Sequence, residues 1–242
     1  MISYATFSNI GTCDNNEDAY GIYEKDDKKP FILCDGLGGH GRGEVASALV
    51  KETFGNIFLT EESKPETFLD KAFELSQATL LLEQETKHAK SEMKTTAVCL
   101  YLDEDKVYCS HIGDSRLYYF HRGKCVKRTI DHSVPQMLVL SGDIKEKEIR
   151  NHPDRNRLLK VMGTEWSRKP YETEQWKDMD DKTSYLLCSD GFWELIDEKT
   201  MCKLLKKSKS AEEWVESMAA VVLENGAGKH MDNYTAIAIF SR

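Results

Sequence analysis

The spacing of hydrophobic residues divides the first part of the chain into strand-like and helix-like segments. Short apolar runs at residues 19–24 and 31–34 predict two strands, which are joined by a polar turn at 25–29. From residue 44 to residue 58 the apolar positions recur every three or four residues, which predicts an amphipathic helix. A similar spacing predicts a second helix that begins at Pro65.

From residue 95 onward the spacing is typical of an antiparallel meander. Four apolar runs predict its strands, and they lie at residues 96–102, 107–112, 116–121 and 125–129. After an irregular, charged stretch over 131–181, the pattern predicts a strand at 185–188, helices at 199–206 and 211–223, and a last strand at 234–240. Strands in hairpin order with helices in pairs favour an α+β fold with antiparallel sheets over a doubly wound parallel sheet.

Composition and charge narrow the classes of protein to be considered. The chain has 242 residues, with 33 Lys and Arg against 41 Asp and Glu, so its formal net charge is −8. We expect a single domain over 1–242. The acidic balance argues against nucleic acid or an anionic membrane as a partner, because binding to phosphates needs a basic face. No apolar run approaches ~20 residues, and the first residues do not resemble a signal peptide, so we expect neither a membrane-spanning nor a secreted protein.

Cysteine usage indicates a reducing compartment. The seven cysteines are Cys13, Cys34, Cys99, Cys109, Cys125, Cys188 and Cys202. Their number is odd, and no pair has the C-x-x-C spacing of zinc ribbons or thioredoxin-type redox sites. We therefore expect free thiols in a cytoplasmic protein.

Acidic residues occur at the ends of several predicted strands. Asp35 and Asp190 each end an apolar run and precede a glycine, and Asp114 follows Ile112-Gly113. Glu17 and Asp18 come directly before the strand at 19–24, and Asp232 lies two residues before the last strand. Taken alone, each Asp-Gly pair is typical of a plain turn. Together, on neighbouring strands, these carboxylates would converge at one rim and repel one another unless cations lay between them. An all-oxygen donor set favours Mg²⁺ or Mn²⁺ over zinc.

The glycine-rich segment after Asp35 also matches a different motif. Residues 36–41 satisfy G-x-G-x-x-G between a strand and a helix, which is the dinucleotide-binding fingerprint. However, Asp35 would place a carboxylate beside the pyrophosphate, and no acidic residue ends a strand about 20 positions later. The nucleotide-binding interpretation is therefore disfavoured.

The chain resembles the metal-dependent, type 2C serine/threonine protein phosphatases, particularly bacterial members. The resemblance rests on seven segments in the order of the family: Asn16-Glu17-Asp18-Ala19, Asp35-Gly36-Leu37-Gly38-Gly39-His40 with Gly43-Glu44-Val45-Ala46-Ser47, Thr95-Thr96-Ala97, Gly113-Asp114-Ser115-Arg116, Asp131-His132-Ser133, Ser189-Asp190-Gly191 and Asp232-Asn233. The resemblance implies a four-layer α-β-β-α sandwich, with two antiparallel sheets flanked by helix pairs and a metal site at one edge.

The resemblance also implies roles for these residues. Asp35, Asp190 and Asp232 would be the catalytic metal ligands, together with the backbone carbonyl of Gly36. Glu17 and Asp18 would coordinate or orient the surrounding waters, and Asp114 would serve a third, weaker site beside the two tight Mg²⁺ or Mn²⁺ sites. Residues near 134–156 would form a flap beside the cleft.

The reaction implied is hydrolysis of phosphoserine and phosphothreonine in proteins by a metal-activated water, with a kinase or its targets as partners and a monomer as the working form. The chain departs from the family at Cys13, where an arginine usually grips the substrate phosphate. Arg42, Lys94 and Arg116 are candidate replacements, and His40 is a candidate general acid. The departure keeps a second hypothesis open, namely a weakly active or inactive binding module for a phosphoprotein or kinase.

Overall fold

The computed structural model describes residues 2–38, 42–90, 92–176 and 178–241. Eleven strands occur in this part of the chain: β1 (Ile2–Asn9), β2 (Asp18–Ile22), β3 (Lys28–Leu37), β4 (Lys94–Thr95), β5 (Ala97–Asp103), β6 (Lys106–Ile112), β7 (Arg116–His121), β8 (Lys124–Arg128), β9 (Glu172–Gln175), β10 (Thr183–Cys188) and β11 (Tyr234–Ser241). The α-helices there are α1 (Gly43–Thr60), α2 (Pro65–Thr86), α3 (Val134–Ser141), α4 (Asp190–Trp193), α5 (Glu198–Lys207) and α6 (Ala211–Gly226), and a 3₁₀ helix spans Glu146–Asn151.

The strands form two antiparallel sheets. One has the order β1-β11-β10-β7-β8, and the other has the order β2-β3-β5-β6-β9, with the short β4 paired to β3. Helices α1 and α2 cover the outer face of the second sheet, and α5 and α6 cover the outer face of the first. The predicted α+β sandwich of four layers is therefore confirmed.

The alternation of side chains along each strand explains the layers. In β3, Phe31 and Leu33 point into the core between the two sheets, whereas Ile32 and Cys34 pack against α1 and α2. Successive residues of a strand face opposite sides, and a strand buried on both sides is apolar throughout. Strand β11 shows the same division, since Ile237 lies between the sheets and Ala238 faces the helices.

Two strands were not expected from the sequence. Strand β1 pairs along its whole length with β11, and the edge strand β9 pairs with β6. The irregular stretch after residue 131, where only short helical fragments are expected, contains α3 and the 3₁₀ helix, and both lie within the predicted flap at 134–156. All seven cysteines are free thiols, as predicted. Among the helices of the described ranges, none is long and apolar enough to cross a membrane.

Candidate metal centre

Strands β2 and β3 place the first two acidic residues side by side. Asp18, at the start of β2, is the antiparallel partner of Asp35, near the end of β3. The hydroxyl of Ser189 donates a hydrogen bond of 2.8 Å to Oδ2 of Asp18, so one oxygen of this carboxylate is oriented by the end of β10. The two sheets therefore contribute to the same site at their common edge.

The backbone around Asp35 is held by the next strand of the second sheet. The amide of Asp35 donates to Oγ1 of Thr96 at 3.0 Å, and the amide of Thr96 donates to the carbonyl of Asp35 at 2.9 Å. The Thr96 hydroxyl is also 2.7 Å from the hydroxyl of Ser115, which adjoins Asp114. Thr96 thus ties the segments that carry Asp35 and Asp114 to each other.

Asp190 and Asp114 come from neighbouring strands of the first sheet. Asp190 begins α4 directly after β10, and its carboxylate is within hydrogen-bonding reach of Asp35. Asp114 lies in the turn before β7, and its carbonyl accepts a hydrogen bond of 3.0 Å from the indole of Trp193. Because β10 pairs with β7, the two carboxylates lie at the same end of the sheet.

The segments before β2 and β11 complete the cluster. The side-chain oxygen of Asn233 accepts a hydrogen bond of 2.7 Å from the amide of Glu17, and its amide group donates to the carbonyls of Ile10 and Asn15. Asp232 is the preceding residue, so Asn233 fixes the distance between Asp232 and the Glu17 segment. The sequence motif had included Asn233 without giving it a role.

Two glycines allow the backbone to approach closely beneath the cluster. A Cβ at Gly36 would lie 2.7 Å from the carbonyl oxygen of Glu17, and the Glu17 carboxylate lies directly against Gly43 at the start of α1. Such spacing tolerates no side chain. The backbone amide of Gly43 bonds to Glu17, which places a negative charge at a helix N-terminus, where it is favoured.

Burial and mutual repulsion raise the pKa values of the carboxylates in the cluster. Desolvation raises the pKa of Asp35 well above its usual range, and four neighbouring carboxylates raise it further, namely Asp190, Asp18, Asp114 and Asp232. Desolvation is also the largest cause that raises the pKa of Asp18 to about 8 and that of Asp190 to about 6. All five carboxylates therefore lie within electrostatic reach, as their positions at strand ends predicted.

The donor set fits a hard cation. Oδ1 of Asp18 and Oε2 of Glu44 are buried and have no hydrogen-bond partner among the described residues, and buried carboxylate oxygens are costly without one. Within the same ranges, no three Asp, Glu, His or Cys side chains converge closely enough to ligate a single ion together. The cluster is therefore open rather than closed. Mg²⁺ suits an open cluster, because it is typically bound by one or two carboxylates and keeps several waters.

The candidate phosphate-binding residues differ in burial and in whether their charged groups already have partners. Arg116 is 1% exposed, and its guanidinium donates to both oxygens of Asp131, at 2.9 and 2.6 Å, and to the hydroxyl of Tyr118. This geometry argues against Arg116 as a substrate ligand. Arg42 pairs with Glu92 at 3.2 Å at the rim, and Lys94 is half-buried in β4, opposite Leu37 at the end of β3.

The structure describes one of the two histidines that occur in the motifs, namely His132, but not His40. His40 lies outside the described residues, so its role as general acid remains a prediction. His132 accepts a hydrogen bond at Nδ1 from the amide of Gly113, and its ring stacks on that of His111 with centroids 4.8 Å apart. Desolvation is the main cause that lowers the pKa of His132 to about 3, so it is neutral and supports the turn that carries Asp114.

One acidic residue near the cluster was not expected. Glu194 lies one helical turn after Asp190 and pairs with Arg155 at 3.1 Å. Desolvation raises the pKa of Glu194 to about 7, and the charge of Asp190 raises it as well. It follows no strand and shares no motif with the other acids, which is why the sequence pattern did not indicate it.

Known proteins resemble the chain over most of its length. The sequence profile of the family described as Protein phosphatase 2C matches residues 8–234. The serine/threonine phosphatase stp of Listeria innocua is 31% identical over 214 residues, which are 82% of this chain and 81% of the relative. The crystal structure of serine/threonine phosphatase Stp1 from Staphylococcus aureus has a TM-score of 0.88 and 31% identity, with coverage of 100% of this chain and 96% of that chain. The catalytic domain of serine threonine protein phosphatase PstP, crystallised with two manganese ions, has a TM-score of 0.84 and 26% identity, with coverage of 99% and 97%.

Proposed function

From the fact that the chain belongs to the protein phosphatase 2C family of serine/threonine phosphatases, we propose that it hydrolyses phosphoserine and phosphothreonine in proteins with Mg²⁺ or Mn²⁺. The observation that carries this proposal is the convergence of four other carboxylates on Asp35 from both sheets. Like charges held this close favour the binding of divalent cations. We also propose that 1–242 is one catalytic domain and that residues 134–156 form its flap.

The proposed metal ligands are the residues at the strand ends. Asp35, Asp190 and Asp232 would hold two ions together with the carbonyl of Gly36, and Asp114 would hold a weaker third ion. Bound ions would supply Lewis acidity, which lowers the pKa of water for attack on phosphorus and offsets the charge that develops on the phosphate oxygens.

The remaining residues keep these ligands in place. Ser189 orients Asp18 through a hydrogen bond to Oδ2, which leaves the buried Oδ1 free for a water or an ion. Asn233 holds the Glu17 segment, and Thr96 holds the backbone on both sides of Asp35. Rigid ligands lose little freedom when the substrate binds, which favours catalysis by positioning.

The substrates proposed are phosphoproteins, with a protein kinase or the targets of that kinase as the natural partners. A phosphate dianion needs a positive counterpart, and the acidic cluster provides none of its own. Metal binding would reverse the sign of this cleft. Lys94, which is half-buried opposite Leu37, and Arg42, which pairs with Glu92 at the rim, are the remaining candidates for an additional contact within the described part of the chain.

A metal-dependent assay tests the proposal. Purified protein, stripped with a chelator, is assayed on an aryl phosphate and on phosphoserine and phosphotyrosine peptides while Mn²⁺ or Mg²⁺ is titrated back. We expect hydrolysis of the aryl phosphate and the phosphoserine peptide only with metal. Absence of turnover at every metal concentration, combined with binding of the phosphoserine peptide, would instead favour the binding module.

A further inference from the structure

A groove lined by lysines runs between helix α5 and the edge strand β8. Its cavity volume is about 630 Å³, and it is lined by five lysines: Lys124, Lys199, Lys203, Lys206 and Lys207. Four of them follow one another at positions i, i+4, i+7 and i+8 along α5, so they form a single stripe on that helix. On a chain with a net charge of −8, this is a concentrated basic surface.

The positive charge of the groove is not neutralised by the protein itself. All five lysines are exposed, and none of them forms an ion pair with any residue that the structure describes. Glu198 is the single acid in the lining, and its carboxylate already accepts hydrogen bonds from Arg150 at 2.8 Å and from Tyr118 at 3.3 Å. The five ammonium groups repel one another, and an anionic occupant would offset this repulsion.

The floor of the groove is less polar than its rim. Cys125 and Cys202 lie at the bottom, where the amide of Cys125 donates to the sulfur of Cys202 at 3.1 Å. The aliphatic stem of Lys206 lies over Gly123, so closely that an added Cβ there would come within 2.8 Å of its Cγ. Lysines that bury their stems keep their ammonium groups at the rim. The groove therefore offers an apolar base between charged walls.

The length of the lysine stripe indicates an extended occupant. Lys199 and Lys207 are eight residues apart on α5, which corresponds to about 12 Å along a helix axis. A single phosphate group would contact only part of this stripe. An extended peptide rises about 3.3 Å per residue, so about four residues would follow its whole length. Lysines act as separate point charges, which suits carboxylates spaced along such a peptide.

The buried face of α5 argues against a membrane as the occupant. Helices that bind lipid surfaces insert an apolar face beside their basic one. The apolar residues Met201 and Leu205 of α5 are instead packed in the core of the first sheet. The second wall of the basic groove is the edge strand β8, so the lysines lie along both sides of a channel rather than on one helix face.

We propose that the groove between α5 and β8 docks an acidic, extended segment of a protein substrate, away from the metal centre. The groove opens beside the β7–β8 hairpin, at the end of β7 opposite Arg116, the residue that adjoins the Asp114 turn. A segment bound there would raise the local concentration of a phosphoprotein at the catalytic cleft. This role as a substrate-docking surface rests on the proposed phosphatase function, whereas binding of the peptide does not.

Fluorescence anisotropy with a labelled peptide tests the proposal. The probe is an unphosphorylated peptide of alternating Glu and Leu, measured with the full chain in chelator at low ionic strength, and the same peptide with Gln for Glu is the neutral probe. We expect the Lys203→Glu/Lys206→Glu variant to bind the acidic peptide about tenfold more weakly than the unmodified protein, because attraction becomes repulsion at two positions. The neutral peptide should bind weakly to both.

A matched variant distinguishes an effect of the groove from an effect of the overall charge of the protein. Lys64→Glu/Lys106→Glu reverses two lysines that are also exposed, lie outside the groove and form no ion pair within the described ranges. It should bind the acidic peptide like the unmodified protein. Equal weakening by both variants, or no binding by the unmodified protein, would overturn the proposal, and so would binding to phosphatidylserine vesicles but not to the peptide. Aryl phosphate hydrolysis, measured separately, should be unchanged in both variants.

Discussion

The thiol of Cys13 lies 3.7 Å from Oδ1 of Asp232. Cys13 is half-buried, and its sulfur is at the same distance from the carbonyl of Met231. Desolvation and the neighbouring Asp232 both raise the pKa of the thiol, which therefore remains neutral. The position at which the family usually carries an arginine thus faces the acidic cluster, and here it contributes no positive charge.

Replacing Cys13 with arginine should restore a phosphate contact. We expect Cys13→Arg to lower KM for an aryl phosphate several-fold with little change in kcat, because the phosphate is held in both the ground state and the transition state. Steady-state kinetics with Mn²⁺ checks this, and Cys13→Ser is the control that removes the thiol without adding charge. An unchanged or higher KM in a folded Cys13→Arg protein would contradict the expectation.

Asp35 is the proposed central metal ligand, and its charge is expected to lower the stability of the metal-free protein. Asp35→Asn should leave less than about a tenth of the turnover, since a hard cation loses a charged ligand at the centre of the cluster. In chelator its melting temperature should equal or exceed that of the unmodified protein, because repulsion from four carboxylates is relieved. Asp181→Asn, an exposed acid outside the cluster, is the control for both measurements. Substantial turnover by Asp35→Asn would refute the ligand assignment.

Arg116 should act on stability rather than on substrate affinity. Its guanidinium is buried, binds Asp131 with two hydrogen bonds, and stacks on the Trp193 ring at 3.4 Å. Arg116→Lys keeps the charge but loses the paired hydrogen bonds, so we expect the free energy of unfolding to fall by about 2–4 kcal/mol. Chemical denaturation measures this fall. A raised KM with unchanged stability would show that Arg116 binds substrate after all.

The stacked pair His111 and His132 should make stability depend on pH. Desolvation lowers the pKa of both imidazoles, that of His132 to about 3. The folded protein therefore takes up these protons at lower pH than the unfolded chain does. Stability from His132 is therefore complete above the unfolded pKa of about 6.5 and is lost as pH falls toward 3, at up to about 1.4 kcal/mol per pH unit, and His111 adds a contribution of the same sign. His132→Asn should remove one such contribution. Denaturation curves between pH 7 and pH 5 compare the two slopes, and parallel slopes would contradict this expectation.

The acidic cluster was predictable because each member lies at or near the end or the start of a strand. Asp35 and Asp190 follow apolar runs whose strand character is plain, and antiparallel pairing brings strand ends to a common edge. Glu194 could not be found in this way, because it belongs to a helix that follows the strand. Its position near Asp190 depends on the turn at α4, which no spacing of apolar residues reveals.

The two strands that the sequence did not predict are held in place by pairing with strands that are distant in sequence. Strand β1 is half-exposed and owes its order to pairing with β11, at the far end of the chain. Strand β9 contains no apolar residue, so its sequence has no strand pattern, and it is held by hydrogen bonds to β6. In both cases the stabilising interactions are distant in sequence, and local propensity carries little information about them.

The pairing of β1 with β11 has a consequence for how the protein is made. Ile2 lies opposite Ser241, and the same pairing brings Asn233 to the amide of Glu17. Protein synthesis proceeds from the N-terminus, so β1 emerges from the ribosome long before its partner. The first sheet lacks its second strand until β11 has emerged, and Asp232 cannot join the acidic cluster earlier. A ribosome stalled before residue 232 therefore holds a chain whose acidic cluster is incomplete.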